Sequence, residues 1–355
     1  MKKYFFGTIV LLFTIGIIAS CRKDKGDDST GYTRTPYHLT VPDGFPEPYI
    51  GSNSLTVEGV RLGRMLYYDP ILSSNGLTCA SCHVPGKSFS SPLHIHPNGD
   101  QTSVPAHINL AWKNKFLWEG GLASIEDVCM GDFEPEFFNT NMNDLVQRLK
   151  NHEQYPRLFY EAFDVTDIAA LSHQELKEKI VTATAQFANT LVSANSNFDR
   201  YRNQEYAPTQ EEIRGLIIFN TEEGDCFHCH GSVLCTDNRL HNNGLDEHPE
   251  GQDAGYFNYS HDSLDIGRFM APTLRNIELT APYMHDGRFA TLEEVVEFYD
   301  HGVNLNSPNV DPIMTKPAKA NGLHLSAYDK QCLVAFLKMF TDTSFLSNPE
   351  YSNPF

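Results

Sequence analysis

The chain has 355 residues and a formal net charge of −18, with an isoelectric point near 5.2. That acidity argues against nucleic acid as a partner and is compatible with docking a basic protein, because complementary fields speed encounter. The length leaves room, beyond an export signal, for one large domain or two of ordinary size.

The chain opens "MKKYFFGTIVLLFTIGIIASC", a positive stretch, an apolar run and small residues before a cysteine. This predicts a secretory signal over 1–20, specifically a lipobox. Cys21 then becomes an acylated N-terminus that anchors the chain as a lipoprotein of the cell envelope, periplasmic or outer-membrane associated. The apolar run is shorter than the ~20 residues a spanning helix needs. Residues 21–40, rich in charge, read as a flexible tether.

Two stretches then rhyme. "VRLGRMLYYDPILSSNGLTCASCH" ends at His83 and "EEIRGLIIFNTEEGDCFHCH" ends at His230. In each, a short helical pattern containing Gly63 or Gly215 runs into a polar loop and then into Cys-x-x-Cys-His. Each half closes on an amphipathic pattern, over 175–201 and 326–340, with apolar residues every three to four positions. No alternating strand pattern of useful length stands out. The fold predicted is mainly α-helical, with two similar domains in tandem over 41–203 and 204–355.

Three chemistries use closely spaced cysteines. Structural zinc needs four ligands, usually from two Cys-x-x-Cys pairs, but does not explain a histidine directly after each pair. A thioredoxin-type disulfide does not need that histidine either, and expects a βαβ context. Covalent haem c accounts for every residue. Cys79 and Cys82, and likewise Cys226 and Cys229, add to the haem vinyl groups, and His83 and His230 become axial ligands of the iron. Export suits this chemistry. His228 inside the second motif reads as a solvent-side spacer. Of the eight cysteines, Cys129, Cys235 and Cys332 remain, an odd number with no disulfide framework. They read as buried small residues, or as one pair and one free thiol.

With "FLWEGG", "LVSANSNFDRY", "PTLRNIELTAPYMHDGRFATLEEVVEFYDHG" and "LVAFLKMFTD" added to the first motif block, the chain resembles the bacterial di-haem cytochrome c peroxidase family, which includes the MauG-type proteins. The resemblance runs from about residue 45 to the C-terminus. It implies two cytochrome c-like domains, each with one haem. The N-terminal haem (His83) would meet hydrogen peroxide, and the C-terminal haem (His230) would take in electrons from a small redox protein such as a cytochrome c. Two alternatives stay open: a MauG-type oxidase acting on a partner protein, and a non-catalytic di-haem electron carrier. A homodimer is compatible with the family.

The resemblance also assigns residues. Trp118 matches the tryptophan between the haems. Tyr299 stands where peroxidases carry a methionine and MauG-type proteins a tyrosine as sixth ligand of the second haem, with Met284 as rival. Thr280 and Pro282 match positions whose carbonyls bind calcium, but Ser103 stands where the family's third ligand is asparagine, and a neutral hydroxyl is a poorer ligand. Arg275 reads as a haem-propionate partner or as an ordinary surface arginine. The distal side of the first haem departs most from the family. His94 and His96 lie near the stretch that carries a histidine ligand, neither in register, and read as loop residues without metal. In "FEPEFFNTNM", Phe137 takes the place of the distal glutamate. Glu136, after a one-residue gap, or Glu134 are the carboxylates that would restore it.

Overall fold

A computed structural model describes residues 31–96, 99, 101–319 and 322–355; the export signal and Cys21 lie outside them. The first half carries α1 (Val57–Tyr68), α2 (Cys79–Cys82), the hairpin β1 (Ser91–Ile95) and β2 (Gln101–Val104), then α3 (Ile125–Gly131), α4 (Met142–Asn151), α5 (Tyr155–Phe163), α6 (His173–Asn189) and α7 (Asn197–Arg202). The second half carries α8 (Gln210–Phe219), α9 (Phe227–His230), α10 (Phe257–Ser260), α11 (Leu292–Glu297), α12 (Ala327–Lys338) and α13 (Thr343–Leu346). Its only paired strands among the described residues are β3 (Leu240–His241) and β4 (Phe269–Met270). The fold is mainly helical, as the periodicity predicts.

Each half is organised by a helix crossing that only glycine permits. A Cβ on Gly63 of α1 would sit 1.9 Å from the Ala183 carbonyl of α6, and one on Gly215 of α8 would sit 2.0 Å from the Cys332 carbonyl of α12. With no side chain between them the helices approach to backbone contact. Around the first crossing Leu62, Leu66, Tyr67, Phe159 and Phe187 are fully buried; around the second Ile218, Cys332 and Phe336 are. Burying side chains of this size stabilises by ~1.5–3 kcal/mol each.

The helix predicted over 175–201 is interrupted. α6 ends at Asn189 and α7 starts only at Asn197. The intervening backbone has better partners than helix: the Asp342 carboxylate accepts from Ser193 Oγ and from the Ala194 and Asn195 N–H groups, each at 3.0 Å. Asn109 and Ser193 exchange two further bonds, of 3.1 and 2.9 Å. These buried polar groups fix the passage from one half to the other.

The halves also share a loop plan at one constant offset. Asn109 and Asn276 both take left-handed backbone, with φ of 54° and 56°, as do Leu117 and Met284 at 66° and 71°. Gly120 and Gly287 follow at 68° and 72°. The bridges Phe116–Leu122 and Tyr283–Phe289 recur at the same offset. So do the caps: Ser124 accepts from Asp127 N–H ahead of α3, and Thr291 from Glu294 N–H ahead of α11.

Candidate haem-binding sites

Both Cys-x-x-Cys-His motifs fold into single helical turns, α2 and α9, that put two thiols and a histidine together. His83 Nδ1 lies 3.1 Å from the Phe89 carbonyl and His230 Nδ1 lies 3.0 Å from that of Cys235. Burial lowers both imidazoles, that of His83 to about 4, although neighbouring carbonyls oppose the shift. Each ring is therefore neutral near pH 7 and keeps a lone pair for a metal. Burial likewise pushes the Cys226 thiol up to about 12 and the Cys79 thiol well above its ordinary value. These are protonated thiols, not ready-made zinc thiolates.

The surroundings of the two motifs differ. The second opens into a cavity of about 500 Å³ lined by Cys226, Cys229, His230, Met284, Tyr299 and Trp118, within the ~300–1,000 Å³ span of cofactor pockets. Tyr299 sits in a π-helical turn, Phe298–Gly302. Such turns concentrate at functional sites. Its phenol is pushed up to about 12, by burial first, with a hydrogen bond from Asn243 pulling the other way. Asn243 Nδ2 donates to the Tyr299 hydroxyl at 3.2 Å and lies 3.8 Å from Met284 Sδ. Both ligand candidates thus meet one amide. Thiols, neutral histidine, oxygen and sulfur donors and an apolar chamber fit a covalent haem.

The first motif has the same thiol-thiol-histidine set in a tighter setting. The opening beside Cys79 is about 10 Å³, walled by Cys129, Asp132, Phe133 and Phe138. The His83 ring is stacked on His107, with centroids 3.4 Å apart and planes 20° apart. The thiol-thiol-histidine set fits the chemistry of haem attachment here too.

The other predicted residues are distributed as follows. Trp118 lines the large cavity, and its Nε1–H donates to the Ser103 carbonyl at 2.6 Å. Thr280 and Pro282 line the same cavity. Ser103 Oγ donates to the Pro282 carbonyl at 3.2 Å, so a hydroxyl already serves that oxygen. Arg275 is 1% exposed, which corrects the surface reading of it. It lines the large cavity, with its guanidinium engaged with Asp199 through two bonds of 2.8 Å and with the Val233 carbonyl. Glu134 is exposed and joins no cluster. Glu136 is drawn instead to His94 and His96, the two histidines read as isolated loop residues. Phe137 stacks on His94. His228 is exposed and lies beside Asp225 and Glu222. Cys129, Cys235 and Cys332 are buried and unpaired.

Several cavity residues carry no local signature in the sequence. Trp112 and Lys113 line the chamber, and burial lowers the Lys113 amine to about 8. Asn243, which holds Tyr299, belongs to no motif. Asp132 could have been found from the repeat, because it stands at the same constant offset from Tyr299 as Asn109 does from Asn276. Burial pushes its carboxyl up to about 7.

A duplicated helical frame with one thiol-thiol-histidine motif per half carries the donor set of a c-type di-haem protein. The comparisons with known proteins agree. The model of the di-haem cytochrome c peroxidase family matches residues 57–207. MauG, the methylamine utilization protein of Methylorubrum extorquens, is 33% identical over 306 residues, covering 84% of this chain and 81% of that one. The cytochrome-c peroxidase IdrP2 of Denitromonas iodatirespirans is 30% identical over 314 residues, 79% of this chain and 80% of that one. A solved MauG-like protein associated with microbial copper homeostasis superposes with a TM-score of 0.77 at 31% identity, over 90% of this chain and 99% of that one. The diheme peroxidase BthA of Burkholderia thailandensis shares the fold, with a TM-score of 0.70 at 19% identity over 89% and 99% of the two chains. The chain belongs to the di-haem cytochrome c peroxidase and MauG family.

Proposed function

We propose that the protein is a di-haem cytochrome c peroxidase that reduces hydrogen peroxide to water with electrons from a small redox protein. Residues 41–203 and 204–355 would be its two haem domains, held on a membrane of the cell envelope through lipidated Cys21. Among the described residues no helix is long and apolar enough to cross a membrane. The observation that carries the reading is the chamber beside His230, which already holds Trp118 and Tyr299.

Haem bound there supplies one-electron redox chemistry. Cys226 and Cys229 would attach it and His230 would ligate its iron, with the Cys235 carbonyl fixing the ring. Tyr299 would ligate as well, its oxygen positioned by Asn243. An oxygen ligand in place of a thioether lowers the reduction potential. The Ser103 carbonyl fixes the Trp118 indole against the same chamber, where an oxidisable ring can relay an electron. The low-dielectric walls exclude water from it. Cys79 and Cys82 would attach the other haem and His83 would ligate its iron, with the Phe89 carbonyl fixing the imidazole. Calcium at Thr280 and Pro282 would have to displace the Ser103 bond.

Steady-state peroxide consumption with a reduced cytochrome c tests the function. Turnover is expected. Absence of turnover, with stoichiometric oxidation of a partner protein instead, would support the MauG-type oxidase. Two six-coordinate irons and no reaction with peroxide would make the protein a carrier.

A further inference from the structure

A separate group of ligating side chains lies on the hairpin after the first motif. His94 is in β1 and His96 follows its end, so strand alternation turns both to one face. Glu136, from the segment after α3, reaches the same point. Its Oε1 lies 2.6 Å from His96 Nδ1 and 3.4 Å from His94 Nε2. One ligand atom from each of the three residues lies within 4.8 Å of the others. Small side-chain rotations bring these atoms to the roughly 3–3.5 Å separations that ligands take around a first-row divalent cation with bonds of ~2.0–2.2 Å. None of the three residues lines the cavity of the second motif or the space beside Cys79.

The neighbours orient the group. His94 stacks on Phe137, with centroids 5.2 Å apart and planes 23° apart. His96 Nε2 lies 2.8 Å from Thr102 Oγ1, and that hydroxyl directs its own proton to Gln252 Oε1 at 3.4 Å. His96 Nδ1 faces a Glu136 carboxylate oxygen at 2.6 Å, a hydrogen-bond distance at which the bridging proton is what a metal ion would displace.

The other three histidine–carboxylate groups of this spacing among the described residues already have their cation. Lys316 sits on Glu222 and Asp225, Arg288 on Asp246, and Lys330 on Asp300 and Glu297. Among the described residues no lysine or arginine pairs with Glu136 in the same way. Two imidazoles with one carboxylate suit copper or zinc, whereas magnesium and calcium take oxygen ligands. The His94, His96 and Glu136 side chains are 21%, 22% and 34% exposed, so an ion can enter from solvent and water can complete its shell. We propose that His94, His96 and Glu136 form a binding site for one divalent cation of the copper–zinc type.

The test uses the haem-loaded, full-length protein after chelator treatment, titrated calorimetrically with Zn(II). The expected result is one equivalent that disappears in the His94→Ala/His96→Ala variant. Thr102→Val should weaken that equivalent by ~10–100-fold, as loss of an orienting partner does. Cu(II) in place of Zn(II) should give an electron paramagnetic resonance signal with splitting from two nitrogens, reduced to one in either single histidine variant. Absence of a Zn(II) equivalent, or an equivalent that survives in the double variant, overturns the proposal. If the double variant does not fold, Glu136→Gln at an exposed position reads the same quantity, and undiminished binding there overturns it too.

Discussion

Asp199→Ala isolates the buried ion pair that ties the end of the first half to the cavity wall of the second. Arg275 is 1% exposed and meets Asp199 through two bonds of 2.8 Å. Removing one partner of such a pair leaves an uncompensated buried charge, at ~3–5 kcal/mol. Asp199 also closes the capping box of α7, accepting from Ser196 N–H at 2.9 Å and Ser196 Oγ at 2.7 Å. Losing a cap costs about 1 kcal/mol more. The sum, ~4–6 kcal/mol, is a large part of a total stability of ~5–15 kcal/mol. At ~2–4 °C per kcal/mol it lowers the midpoint by roughly 10–20 °C. Thermal unfolding followed by circular dichroism measures it. Asp199→Ala/Arg275→Met should recover most of the loss, because replacing both ends of a buried pair is near neutral. A single variant within about 2 °C of the parent, or a double variant no better than the single, would refute the reasoning. The pH arm has a definite sign. Burial raises the Asp199 carboxyl, but bonds from Arg275 and Ser196 outweigh it and hold it below its ordinary value. Its contribution is complete above the unfolded carboxylate value of ~3.9 and disappears as pH falls through the lower folded value. The parent should lose its margin over the single variant in that acid window alone.

Gly215→Ala places a methyl 2.0 Å from the Cys332 carbonyl, so α8 and α12 must separate; a loss of ~1–3 kcal/mol is expected, and an unchanged unfolding midpoint would count against the crossing. Trp118→Phe should leave both haem spectra nearly unaltered while slowing electron transfer between the haems after rapid mixing with peroxide; unaltered transfer would make Trp118 a packing residue of the chamber. Tyr299→Met should raise the potential of the second haem in a redox titration, since a thioether favours ferrous iron. An unchanged potential and low-spin spectrum would pass the ligand role to Met284, which shares Asn243 with Tyr299.

The elements legible in the sequence are those specified locally. Cys-x-x-Cys-His needs only one helical turn, so both motifs fold where their spacing puts them. The pattern over 326–340 likewise becomes α12. Non-local partners account for what could not be read. The helix over 175–201 breaks because Asp342, far along the chain, collects three donors from its middle. Arg275 turns inward because Asp199 waits for it. His94 and His96 look like loop histidines until the hairpin and the turn after α3 bring Glu136 between them.

The duplicated frame shows where the halves part company. From Asn109 and Asn276 to the caps Ser124 and Thr291 the two loops keep one offset, with matching left-handed residues and bridges. Carried two turns further, the same offset sets Asp132 against Tyr299. Both line the space beside their own motif's cysteines. One is a phenol pushed up to about 12 and the other a carboxyl pushed up to about 7, each chiefly by burial. Near neutral pH the phenol keeps its proton unless a metal displaces it, whereas the carboxyl is poised to hold or release one. A common backbone therefore presents a phenol in the second half and a carboxyl in the first. That difference rests on a single aligned position, outside both cysteine motifs.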